Sequence, residues 1–512
     1  MRRILPLIAV VTMTVSLLVA GPATAKSHTP KPVDTSKLTK AVTVSGIMQH
    51  LRQLQVIANR NDGNRASGLP GHTASADYVA KKLKQAGYSV KRQKFTFPFT
   101  RELEPATLTQ LTPTEREVET HTMDYSGSGD VTGPVIPTND VVIPPAAEPS
   151  STSGCEASDF PAAPAEPAIA LIQRGTCTFE AKANNAATAG YDAVILFNEG
   201  QPGRDELLTG TLGNPVGIPV VGVSYEDGAA LAGAGVTARV TTKTETDLNR
   251  ETENVIADLP SKELKHTNKD QVVVVGAHLD SVAVGPGIND NGTGSAAILE
   301  IAEEMADLKL TKKLERPVRF AFWGAEESGL LGSEHYVADL SDEGRSKIYA
   351  NLNFDMLGSP NYVRFVYDGD GSAGGDAGPA GSDAIESIFT DYFGTRHLAS
   401  APTAFDGRSD YGPFIEAGIP AGGLFSGAEG VKTPEEAAVY GGEAGAPYDA
   451  CYHAACDDIS NLNTSALHEL GDAAAHATAV LTLSKKGLFP DGSLKAKKSP
   501  AKAHSQGPQL VR

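Results

Sequence analysis

The segment Gln271-Val272-Val273-Val274-Val275-Gly276-Ala277 restricts the fold more than any other. It is continuously apolar and β-branched, without the alternation of a strand that keeps one wet face. Such a run reads as a strand buried on both faces, the kind found in parallel sheets covered by helices. Pro317 to Trp323 and Ala350 to Phe354 read as further strands. Ile298, Ile301, Met305 and Leu308 recur at intervals of three, four and three, which marks a helix face. At 512 residues and 40% hydrophobic content, the chain can hold two domains or more.

Chemistry-bearing residues stand at the ends of these runs. His278-Leu279-Asp280 follows the first strand, and open α/β sheets place ligands beyond the carboxyl ends of their strands. Asp280 is spaced to accept a hydrogen bond from the imidazole and fix its tautomer. Asp290 lies in the glycine-dense loop from Gly285 to Gly294, where the backbone can approach a ligand closely. No Gly-Lys-Ser/Thr follows and no dinucleotide fingerprint fits, which argues against a phosphate loop. Glu326 and Glu327 stand side by side just past Trp323. Adjacent buried carboxylates resist ionising unless positive charge lies close; beside a metal, one can ligate while its neighbour handles protons. Asp355 ends the run from Ala350, and His453 sits between Cys451 and Cys456.

Taken singly, each residue has an ordinary reading: a hydrogen-bonded histidine, a turn aspartate, a helix cap, a solvated acidic pair. Together, His278, Asp290, Glu327, Asp355 and His453 form a nitrogen and oxygen donor set without thiolate. That set suits zinc, and cobalt or manganese can use it too. Five donors exceed what one tetrahedral zinc needs. If Asp290 bridges, each of two ions has one histidine, one terminal carboxylate and one shared carboxylate, with the ions roughly 3.5–4 Å apart.

His-Leu-Asp-Ser, Gly-Ile-Asn-Asp-Asn-Gly-Thr-Gly, Phe-Trp-Gly-Ala-Glu-Glu, Asn-Phe-Asp-Met and Cys-Tyr-His, in that order, resemble the secreted bacterial di-zinc aminopeptidases. The similarity spans residues 254 to 482 and includes Gly407-Arg408-Ser409-Asp410 and Cys456-Asp457. It implies that His278 and Asp355 hold one zinc, that Glu327 and His453 hold the other, and that Asp290 bridges both. It makes Glu326 the general base and Tyr452 the oxyanion donor, with Arg408 orienting substrate and Met356 lining the site. It also implies a cis Asp290-Asn291 peptide and a mixed, largely parallel sheet flanked by helices, the zinc exopeptidase fold. Some relatives use calcium, so the resemblance admits calcium as a further ion with no ligands assigned to it.

Residues 1–25 read as a secretory signal peptide: Arg2 and Arg3, an apolar stretch from Ile4 to Ala20, then Ala23-Thr24-Ala25. No other run is long and apolar enough to cross a bilayer, so no transmembrane anchor is expected. Residues 26–41 read as a flexible leader or propeptide, and 486–512 as a basic disordered tail. Four cysteines in a secreted chain suggest two disulfides, and counting allows three pairings. The resemblance pairs Cys451 with Cys456, which leaves Cys155 with Cys177. The net charge of -18 argues against a nucleic-acid partner.

Residues 42–129 are expected to start the peptidase domain, with helices near 46–59 and 74–87 and strands near 89–96 and 107–111. Residues 246–485 complete that domain with the metal site. Between them, 130–245 resemble a smaller β-rich protease-associated domain in Arg174-Gly-Thr-Cys-Thr-Phe179, an Ala-rich helix ending near Gly190, and Gly217-Ile-Pro-Val220. The resemblance implies an insertion without catalytic residues, either a substrate-gating or partner-binding module or a passive lid or spacer. The resemblance implies a secreted aminopeptidase acting on peptides or proteins with free N-termini, with bulky apolar first residues preferred; a monomer is expected. A carboxypeptidase or a glutaminyl cyclase on the same fold is the alternative. A receptor built on the fold loses ligands, whereas this chain keeps all five.

Overall fold

The computed structural model describes residues 33–260 and 268–489. The expected signal peptide, the leader up to residue 32 and the tail from 490 lie outside the described residues. Strands β1 (Ser89–Thr112), β2 (Arg116–Val118), β3 (His121–Thr122) and β4 (Gly129–Pro137) come first. They are followed by β5 (Ile169–Gln173), β6 (Ala193–Phe197), β7 (Val220–Val223) and β8 (Thr237–Asp258). The rest are β9 (Val272–His278), β10 (Val318–Trp323), β11 (Ile348–Asp355), β12 (Phe365–Tyr367), β13 (Ala401–Thr403) and β14 (Ala421–Phe425).

The valine run behaves as its composition requires. β9 is central, parallel to β10 on one side and to β11 on the other, and β11 is parallel to β14. Val273, Val275 and Ala277 face the larger core, which includes the helices Val44–Asn59, Gly294–Asp307 and Thr464–Leu483. Val274 faces the opposite side, packed with Trp323, Tyr336 and Phe414. Both faces are therefore dry, and the carboxyl ends of β11, β9 and β10 lie side by side. The expected mixed, largely parallel sheet flanked by helices is met.

The inserted region has its own parallel ladder, β4-β5-β6-β7, closed by antiparallel β3. Its cores are separate from the main one. β1 and β8 join the two regions. They pair antiparallel from Ser89–Asp258 to Thr112–Thr237. The two short strands expected near 89–96 and 107–111 are thus one strand. Pro98 and Pro105 interrupt the sequence pattern, but each falls where the register shifts, so the missing N–H groups are absorbed as bulges.

Two expectations about the ends need correction. Residues 33–41, taken as flexible leader, include the helix Ser36–Ala41, with Leu38 only 1% exposed in the main core. Thr35 Oγ1 also lies 2.8 Å from His476 Nδ1. The few apolar residues among Lys, Thr and Ser concealed this, because a single well-placed leucine carries the docking. Residues 486–489, assigned to the disordered tail, are packed: Arg316 donates to the carbonyls of Ser484 and Lys486, and Phe489 packs edge-on against Tyr349. Leu38→Ala is expected to cost about 2–4 kcal/mol, the range for emptying a buried leucine site. Lys40→Ala, at an exposed position of the same helix, should change stability by less than about 0.5 kcal/mol. Denaturant titration of the two variants checks the contrast.

Candidate metal centre

The three neighbouring strand ends bring the expected ligands together. His278 ends β9, Asp355 ends β11, and Glu326 and Glu327 lie in the turn after β10. Asp290 enters from the buried turn 288–293 and His453 from the loop closed by Cys451 and Cys456. Asp290 Oδ1 is 3.2 Å from His278 Nε2, and its Oδ2 is 3.3 Å from His453 Nε2. His278 Nε2 lies 3.3 Å from Asp355 Oδ1, and His453 Nε2 lies 3.0 Å from Glu327 Oε2. One carboxylate therefore faces two histidines, each already beside a second acid. Glu326 Oε2 is 3.9 Å from His278 Nε2.

Close as these atoms are, His278 Nε2, Asp355 Oδ1 and Glu327 Oε1 are buried and make no hydrogen bond. Orphaned buried polar atoms are expensive. Donors about 2.0–2.1 Å from a tetrahedral zinc lie about 3.3–3.4 Å from one another, close to the separations seen. The residues fit a pair of divalent ions. Two other groups among the described residues differ. In the first, Glu303 beside His50 and Glu300 is paired with Lys82 at 2.8 Å; in the second, the buried Asp368 beside Asp370 and Glu386 accepts N–H bonds from Ser372 and Ala373.

Electrostatics within the protein are severe. Burial pushes the Glu326 carboxyl well above the carboxylate range, with Asp410, Asp355 and Glu327 adding and His278 opposing. Burial also opposes ionisation of Asp290, yet His278 and His453 hold its carboxyl well below the usual range. Burial alone would lower the His278 imidazole, but Glu326 and Asp355 hold it well above its ordinary value. A divalent cation inverts this logic, since it takes the place of the protons the acids would otherwise share.

Groups around the ligands hold them in place. Asp457 is the anchor of the Asp290 turn: its carboxylate accepts the N–H of Asn289 at 2.7 Å and of Asp290 at 2.9 Å. Asn291 joins Gly294 N, Met356 N and the Phe354 carbonyl, tying the turn to the end of β11. Its peptide bond with Asp290 is cis, as the resemblance implied. Gly287 is left-handed, and a Cβ there would stand 2.4 Å from the Asp290 carbonyl oxygen. Ser409 Oγ donates to Asp355 Oδ2 at 2.5 Å. Ala325, Met356 and His453 all have φ between 51° and 54°, an unusual region for side-chain-bearing residues. Three such residues beside the ligands cost on the order of 1–3 kcal/mol each, which the surrounding bonds must offset.

Three placements add to the sequence reading. The imidazole Nδ1 of His278 is 3.2 Å from the main-chain carbonyl of Asp280 and 3.6 Å from its carboxylate. The carbonyl is thus the nearer partner, and the carboxylate oxygen Oδ1 sits between the imidazole and the Glu326 N–H, 3.4 Å away. Arg65 was not singled out from sequence. It is fully buried and donates to the carbonyls of Leu279, Pro286 and Gly287, bracing the loop between His278 and Asp290. Burial lowers its pKa to about 10, against the pull of Asp280, Asp457, Glu327 and Asp290, so it stays charged. Ser67 Oγ accepts the Ala325 N–H at 2.6 Å, which braces the Glu326 turn. No periodicity marks Arg65 or Ser67. The only signal would have been an arginine near Ser and Gly in a loop between two helices.

The remaining site residues adjoin this cluster. Tyr452 stacks on His453 with ring centroids 3.9 Å apart, and Arg408 donates to its hydroxyl oxygen at 3.1 Å. Met356 is buried directly after Asp355. Both disulfides, Cys155–Cys177 and Cys451–Cys456, are formed as expected.

The pattern of peptidase family M28 matches residues 254–478, and that of the PA domain matches 131–231. An aminopeptidase of Pseudomonas aeruginosa is 48% identical over 459 residues, covering 88% of this chain and 83% of the relative. The chain belongs to peptidase family M28. It is a hydrolase with an inserted protease-associated domain, as expected. Leucine aminopeptidase 2 of Trichophyton tonsurans is 40% identical over 471 residues, covering 90% of this chain and 88% of the relative. A solved zinc aminopeptidase from Bacillus subtilis matches with a TM-score of 0.62 at 28% identity, covering 87% of this chain and 96% of that one.

Asp457→Asn turns one acceptor into a donor facing an N–H. It should weaken zinc binding by roughly 10–100-fold, as loss of an outer-shell partner does. Calorimetric titration with zinc checks this.

Proposed function

We propose that this member of the M28 family removes single N-terminal residues from peptides and proteins, with two zinc ions as its cofactor. The observation that carries the reading is Asp290, whose two oxygens face different histidines. His278, Asp355 and Asp290 would hold one ion; His453, Glu327 and Asp290 would hold the other. Ions bound there supply Lewis acidity at a scissile carbonyl and lower the pKa of a water toward ~7.

The chain's own residues supply the rest. Glu326, the one acid of its pair left without a terminal ligand role, accepts the water's proton and returns it to the leaving amine. Tyr452 Oη accepts a hydrogen bond from Arg408, which leaves the phenolic hydrogen free to donate to the oxyanion. Glu326 and Asp355 are acids close enough to the cluster to hold the substrate's free α-amine. A preference for bulky apolar first residues draws support from the relative described as a leucine aminopeptidase. Secretion draws support from residues 1–25 and from the two disulfides, since such bonds persist in oxidising compartments.

Glu326→Ala should keep two zinc ions per chain while kcat falls roughly 10²–10⁴-fold, the span for a general base. Atomic absorption and leucine p-nitroanilide turnover measure the two. Near-normal turnover by the folded, loaded variant removes Glu326 from its role. N-acetylation of a test peptide should block cleavage, and C-terminal amidation should not. The reverse result would mean a carboxypeptidase, and cyclisation of N-terminal glutamine a cyclase.

A further inference from the structure

We infer that Glu429 is a positioning residue for this reaction, anchoring the Arg408 guanidinium that sets the orientation of the Tyr452 hydroxyl. The inference rests on the aminopeptidase reading above. Three loops meet at this point. Arg408 lies between β13 and the helix Gly412–Glu416, Glu429 follows β14, and Tyr452 sits in the disulfide-closed loop.

Arg408 Nη1 donates to Glu429 Oε1 at 2.8 Å, while Nη2 donates to Tyr452 Oη at 3.1 Å. A guanidinium is a rigid planar fork, so fixing one arm fixes the direction of the other. The Tyr452 ring is already held by its stacking on His453, which leaves the hydroxyl torsion as its loose coordinate. Among the described residues, no other hydrogen bond reaches that hydroxyl. With its oxygen occupied by Nη2, the phenolic hydrogen must point away from the guanidinium.

The loop that carries this carboxylate is also held in place. Asp449 N donates to the Ala428 carbonyl and Tyr448 N to the Gly430 carbonyl, both at 2.8 Å, so the Glu429 loop and the segment leading to Tyr452 are bound together. Gly427 is left-handed, and a Cβ there would stand 2.4 Å from Tyr448, so only glycine allows this approach. On the other side, Asp406 accepts both the Arg408 N–H and the Tyr411 hydroxyl. The Arg408 and Glu429 side chains are 44% and 55% exposed. A pair so exposed adds little to stability. Its loss should appear in turnover and not in folding.

The test is a double-mutant cycle on the zinc-loaded full chain with leucine p-nitroanilide: wild type, Glu429→Gln, Tyr452→Phe and the double variant. Glu429→Gln should lower kcat roughly tenfold, a part of what one oxyanion donor is worth. KM, zinc content and Tm should stay close to wild type. In the Tyr452→Phe background the same substitution should change kcat less than about twofold, because the group it positions is gone. Equal losses in both backgrounds, or no loss in the first, overturn the inference. So does a Glu429→Gln variant that sheds zinc or melts several degrees lower, which would make the role structural. A wild type that cleaves no aminoacyl nitroanilide at full zinc loading sinks the aminopeptidase reading itself, and the inference with it.

Discussion

A buried carboxylate shared between two imidazoles is the constraint on which this structure depends. Asp290 is 5% exposed and belongs to a cluster with Glu326, Glu327 and Asp355. That many acids in so little space are unfavourable by themselves, because burial removes the water that would stabilise their charge. Their arrangement makes sense as a cradle for cations. His278 Nε2, Asp355 Oδ1 and Glu327 Oε1 have no hydrogen bond, whereas Asp355 Oδ2 is held by Ser409.

Much of the surrounding fold serves to hold that cradle still. Parallel β9, β10 and β11 deliver three ends that carry candidate ligands to one edge. Asp457 and Asn291 bind the turn of Asp290 to the last loop and to β11, and Arg65 reaches in from the N-terminal segment to brace the same loop. The three left-handed residues are tolerated because each lies beside a strand end or within a disulfide loop that restricts alternatives. Removing a brace should therefore loosen ligands before it unfolds the domain. The β1–β8 ribbon plays a different part. It carries the chain from the peptidase core to the insert and back without a hinge-like linker, and two of its four register shifts fall at the prolines.

The parallel sheet was legible because a run of valines has no other comfortable place than between two dry faces. The candidate ligands His278, Asp290, Glu327 and Asp355 were legible because they stand at or just past strand ends or in a glycine-rich loop, and all five candidates because their motifs recur in order in a known family. Other features were hidden. Leu38 is one apolar residue in a polar stretch, too little to signal docking against the helix Thr464–Leu483. From sequence β1 reads as two strands, because Pro98 and Pro105 break a strand pattern unless a bulge absorbs them. Asp280 was assigned its contact by spacing alone. Spacing says how near two residues are along the chain but not which oxygen of the nearer residue turns toward the ring.

Sequence alone determined the buried strands, the donor types and the order in which they occur, since hydrophobic period and side-chain chemistry are local properties. Only the tertiary structure decided that Asp290 presents one oxygen to each histidine, that Arg65 lies under the cluster and that Glu429 holds Arg408 against Tyr452. Those relations join residues up to more than two hundred positions apart. Distance in space is set by packing of whole elements, and no local pattern encodes it.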